Sequence, residues 1–138
     1  MDRSRRLVSL IRNNRGNAVV EFALVLPLLL LIVFGITEFG RAWMTVNILA
    51  GAAREGARLA VVTEPDVAAV QARVTDVCTS AGVTPSSITV TPPDPNDPER
   101  RVTVVVETNF TVISGRILGT FSGTVPLRST MIMRHETF

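Results

Sequence analysis

The sequence predicts an α+β protein: a long N-terminal membrane-spanning helix that continues outside the bilayer, a second amphipathic helix, and a small three-stranded antiparallel sheet. Three observations carry this expectation. Residues 18–36 form an apolar run of 19 residues broken only by Glu21, with no charge between Phe22 and Thr37. Beyond that run, apolar and small residues recur with a period near 3.6 as far as Val62, and again from Val67 to Cys78. From Ser86 onward the period changes to two, which is the spacing of a strand with one buried face.

The apolar run fixes the first element. About 20 apolar residues at about 1.5 Å each match a hydrocarbon core of about 30 Å. A helix greasy on every side would find too little protein to cover it in a chain of 138 residues. Ahead of it stand Arg3, Arg5, Arg6, Arg12 and Arg15 against Asp2 alone. Residues 1–16 therefore read as a basic leader that stays cytoplasmic, with everything after Arg41 on the other side of the membrane. The net charge of +2 belongs to this leader. The rest of the chain holds nine arginines against eleven acids, a net charge of −2, and offers no basic surface for nucleic acid. A twin-arginine signal at Ser4-Arg5-Arg6-Leu7 fits poorly in the residues that follow it. A secretory signal cut after Ala42 would have Glu21 inside its apolar core.

Glu21 is the anomaly. An ionised carboxylate within a bilayer costs about 2.5–3.5 kcal/mol on insertion scales. Two readings of it stay open on spacing alone. It can sit at the headgroup boundary and reach water along its flexible stem. Alternatively, a cut after Gly16 would make Asn17 a new amino terminus one helical turn away, and the amine of one copy could neutralise Glu21 of another. Pro27, in the middle of the run, removes a backbone hydrogen bond and should kink or open the helix near Ala23–Pro27.

The helix should run on to Val62, since no proline falls between Glu38 and that residue. Trp43 stands where an interfacial aromatic belongs. Gly51, Ala53, Gly56, Ala57 and Ala60 make a strip of small residues that permits close packing. Its partner is either the protein's own sheet or a neighbouring subunit. Thr63 is the expected cap of the second helix, whose apolar face is Val67, Val70, Val74, Val77 and Cys78, with Gly82 as its stop. Residues 63–138 form the outer α+β domain. Its strands are expected at Ile88–Thr91, Arg101–Ile113 and Leu127–Glu136. Val102, Val104 and Val106 should share one face of the second, while Leu127, Met131 and Met133 should point inward from the third. A turn should fill Gly115–Gly123. Asp94, Asp97 and Glu99 lie in a loop too rich in proline to wrap a calcium ion readily.

Catalytic signatures are lacking. There is no GxSxG, no P-loop and no paired Cys or His spacing, and His135 has no nucleophile or metal ligand near it in sequence. No enzyme activity, cofactor or metal is expected. Cys78 is single and reads as a small buried apolar residue.

The string from Gly16 through Val20-Glu21-Phe22-Ala23-Leu24-Val25-Leu26-Pro27 looks like a type IV prepilin processing site, a leader ending in glycine with glutamate fifth and phenylalanine sixth after the cut. Together with Glu38-Phe39-Gly40-Arg41-Ala42 and Ala52-Ala53-Arg54-Glu55-Gly56-Ala57-Arg58-Leu59-Ala60, it resembles the TadE-like proteins, minor pseudopilins of tight-adherence (Tad/Flp) pilus systems. The resemblance is dense over about residues 15–62. It implies cleavage between Gly16 and Asn17 by a prepilin peptidase, Glu21 as the assembly charge, Phe22 as the aromatic of the processing motif, and helix flexibility at Pro27. It also implies a single-pass place in the bacterial inner membrane and other Tad pseudopilins, with the major Flp pilin, as partners in pilus biogenesis and adhesion. Phe22 stands where major Flp pilins tend to have tyrosine, and the outer domain is larger than theirs, which favours a minor subunit. The competing expectation is a single-pass envelope protein whose outer domain binds a ligand or partner without any processing.

Overall fold

The computed structural model describes residues 14–62, 66–94, 96–113 and 123–134. In chain order these form helix α1 (Asn14–Val62), helix α2 (Val67–Ser80) and strands β1 (Ser87–Thr91), β2 (Arg101–Thr111) and β3 (Thr124–Arg134). The strands make one antiparallel sheet in the order β1-β2-β3. The class is α+β, as the change of period implies. The chain divides into two compact units, Met1–Thr37 and Glu38–Phe138, so the outer half of α1 is counted with the sheet.

In the first unit, α1 runs unbroken through Pro27. None of its most apolar stretch is buried, and it is long and apolar enough to cross a membrane. Phe22, Leu24, Leu28 and Ile36 are all more than half exposed. The hydroxyl of Thr37 donates to the carbonyls of Val33 (3.0 Å) and Phe34 (2.9 Å), so this polar group is satisfied within the helix, as hydrocarbon surroundings require.

In the second unit, the rest of α1 lays Leu49, Ala52, Ala53, Ala57 and Ala60 against Val70, Val74 and Cys78 of α2 and Val102, Val104 and Val106 of β2, all fully buried or nearly so. Alternation in β2 places those valines on the core face. The register sets Val104 between Val90 of β1 and Met131 of β3, and Val102 beside Met133. Ile88, Val90, Leu127, Met131 and Met133 complete the core from its margin. Among the described residues, Leu49 is the largest side chain with no exposure at all. Leu49→Ala should cost about 2–5 kcal/mol, read as a lowered urea midpoint in detergent. An unchanged midpoint would mean that α1 does not seal this core.

Local chemistry explains the ends of α2. Asp66, in extended conformation, accepts from the backbone N–H of Ala68 through Oδ1 at 3.0 Å. The cap is therefore Asp66 and not Thr63; its carboxylate reaches an amide of the first turn directly. At the other end Gly82, with φ of 76°, takes the left-handed step that favours glycine. Val83 N–H bonds to Cys78 O (2.9 Å) and Gly82 N–H to Thr79 O (3.0 Å), a Schellman closure.

Four strand limits differ from expectation: β1 begins at Ser87, β2 ends at Thr111, and β3 begins at Thr124 and ends at Arg134. The carboxylates weighed for calcium are occupied locally. Asp94 accepts from Asn96 N–H (2.8 Å), while Asp97 accepts from Glu99 N–H (3.0 Å) and from Arg101 Nε (3.0 Å). The Glu99 amide and then the Arg101 guanidinium hold the Asp97 carboxyl below its usual range. Thr63, residues 115–122 of the expected turn and His135 lie outside the described residues.

Candidate assembly segment

Gly16 lies within α1 and is exposed; a Cβ built there would meet nothing within 4 Å. Among the described residues, nothing in the packing demands glycine at this position. One residue on, the Asn17 side-chain amide donates to Glu21 Oε1 at 3.2 Å across one helical turn. The partner that the fold gives Glu21 is thus neutral, and it sits at the residue whose α-amine a cut after Gly16 would expose. Phe22 is exposed beside it. Pro27 lies inside the same helix.

The small-residue strip divides. Ala53, Ala57 and Ala60 are fully buried in the protein's own core. Gly56 belongs with them: a Cβ there would overlap Val74 Cγ2 and stand 3.4 Å from Val70 Cγ1 and 3.5 Å from Val104 Cγ1. Gly51 is exposed and faces open space. It shares an outward stripe of α1 with Trp43, Asn47, Arg54 and Arg58. Glu55 secures the buried side from its margin by pairing with Arg58 (3.3 Å) and with Arg73 of α2 (3.2 Å). Arg58 first, then Arg73, hold its carboxyl below the usual range. Cys78 is fully buried, and burial pushes its thiol up.

A second constellation lies where the outer unit begins, and sequence reasoning missed it. Glu38 pairs with Arg41 through Oε2 (2.6 Å) and accepts the backbone N–H of Ile113 through Oε1 (2.7 Å). Arg41 in turn lies over the Phe110 ring, 5.0 Å from its centroid. These contacts tie the first outer turn of α1 to the end of β2. The available signal was a carboxylate and a guanidinium three residues apart, directly after the uncharged run. Beside them is an open groove of about 470 Å³, lined by Arg41, Met44, Ile48, Val83, Phe110 and Ile113 among others.

No curated protein and no solved structure matches this chain. A family model does, the one described as TadE-like protein, and its match begins at Gly16 and ends at Arg58. It takes in the apolar segment, Glu21, the Glu38–Arg41 pair and most of the outer part of α1, and stops short of α2 and the sheet. Over residues 16–58, then, this chain is similar to the TadE-like proteins, and among the described residues one helix is long and apolar enough to cross a membrane.

Proposed function

We propose that this protein is a membrane-anchored minor pseudopilin that supports assembly of Tad/Flp adhesive pili after a prepilin peptidase removes residues 1–16. It acts by assembly and not by catalysis. The observation that carries this reading is the register of the family match: it opens at Gly16, which places Glu21 fifth and Phe22 sixth after the cut. The openness around Gly16 supports it, because a glycine that no internal contact requires is suited to the needs of an outside enzyme. The leader arginines put the N-terminus in the cytoplasm of the inner membrane and the sheet beyond it. After cleavage the amine of Asn17 meets Glu21, in the same chain or in a neighbour, inside a helical bundle of like subunits.

Co-expression with a Tad prepilin peptidase tests the reading. The expected result is a mass loss equal to residues 1–16, seen with the active peptidase and absent with an inactive one. An unchanged mass would favour the single-span protein that binds a partner through its outer domain without processing.

A further inference from the structure

The outer unit has two unlike ends. At one, Phe39, Trp43, Met44, Ile113 and Val125 are exposed, by 71%, 61%, 64%, 48% and 42%. They come from three separate segments of the chain: Phe39, Trp43 and Met44 from α1, Ile113 from just beyond β2, and Val125 from the start of β3. Phe39 and Trp43 stack with centroids 6.3 Å apart. Met44 and Ile113 line the same groove. Ile113 N–H is held by Glu38, and Val125 lies opposite Phe110 in the sheet. At the far end of β2 and β3 the surface is charged: Arg101 pairs with Asp97 and Glu99 and lies opposite Arg134. Nine residues of strand, about 30 Å, separate Arg101 from Phe110.

The apolar end is continuous with the residues that directly follow the uncharged run. Its acid, Glu38, is matched by Arg41, so no uncompensated negative charge faces outward there among the described residues. The remaining polar groups, Asn109, Thr111 and Thr124, suit a headgroup layer, and the guanidinium of Arg41, about half exposed, can meet a lipid phosphate. Apolar area of this kind, rimmed by polar residues, marks a contact surface. Its chemistry fits the boundary of a bilayer, where aromatic and aliphatic side chains insert about 5–10 Å.

We propose that the rim formed by Phe39, Trp43, Met44, Ile113 and Val125 rests in the lipid interface, so that the outer domain meets the membrane by its apolar end and holds its charged end away from it. This deepens the membrane reading of α1 and is independent of leader cleavage.

Trp43 is the one tryptophan of the chain and there is no tyrosine, so emission reports a single site. The full chain is placed in phosphatidylcholine nanodiscs with or without lipids brominated near the top of the acyl chains. Wild type is compared with Trp43→Phe carrying Ile113→Trp, Val125→Trp or Ile132→Trp. Ile132 is exposed on β3 opposite Thr103, near the charged end. Trp43 and the probes at 113 and 125 should lose about half of their emission to bromines at interfacial depth, and the probe at 132 almost none. Equal, weak quenching at 113, 125 and 132 in chains that enter the discs would overturn the proposal while leaving the anchor intact. Failure of the wild-type chain to enter the discs would overturn the anchor and the proposal together.

Discussion

Glu21→Ala should leave removal of residues 1–16 unimpaired and lower piliation, or recovery with partner pilins, by about tenfold or more. Tenfold is the factor that about 1.4 kcal/mol produces, well within what one charge pair is worth in a low-dielectric bundle. The carboxylate lies in the stretch of α1 over residues 16–37, none of which is buried in the single subunit, so lipid or other helices must cover it. Among the described residues its partner is the neutral amide of Asn17, at 3.2 Å. Cleavage would place a positive amine on that residue. Glu21→Gln keeps the hydrogen-bonding shape without the charge and should fail as the alanine variant does. If either variant assembles as well as wild type, the charge has no part in assembly.

Gly56→Leu should be the most damaging single change in the outer domain. The added Cβ alone would overlap Val74 Cγ2 and press on Val70 and Val104. All three valines are buried at 1% exposure or less and stiff about χ1, so they cannot step aside. A loss of about 3 kcal/mol or more is expected, at or beyond the upper end of overpacking effects, with proteolysis of residues beyond 62 as a second readout. Gly51→Ala makes the contrast. Five residues earlier on the same helix it meets open space, and it should gain about 0.5–1 kcal/mol because alanine loses less backbone freedom in a helix. Equal urea midpoints for the two variants would mean that the strip does not pack on α2.

Much of this architecture is legible from periodicity. The switch from 3.6 to two locates both helices and all three strands, and the alternation of Val102, Val104 and Val106 alone names the core face of β2. What stays hidden depends on distance along the chain. Glu38 finds its backbone partner 75 residues away at Ile113, so no local pattern could disclose it. The small-residue strip shows that something packs closely but not what; the fold turns Ala53, Gly56, Ala57 and Ala60 inward and leaves Gly51 outside. The cap of α2 goes to Asp66 because Thr63 and Asp66 are both good caps, and only backbone geometry chooses between them. At the processing segment the sequence is the stronger source. On the proposed reading Gly16 and Glu21 would serve an enzyme and neighbouring subunits, and one chain's packing carries neither.

A pseudopilin role requires residues 1–16 to be temporary. The most direct measurement is the intact mass and N-terminal sequence of the polypeptide recovered from its native envelope. A chain that begins at Asn17 and retains the apolar helix is the predicted result. A chain that still begins at Met1, or one that begins beyond Ala42 and has lost the helix, would contradict it.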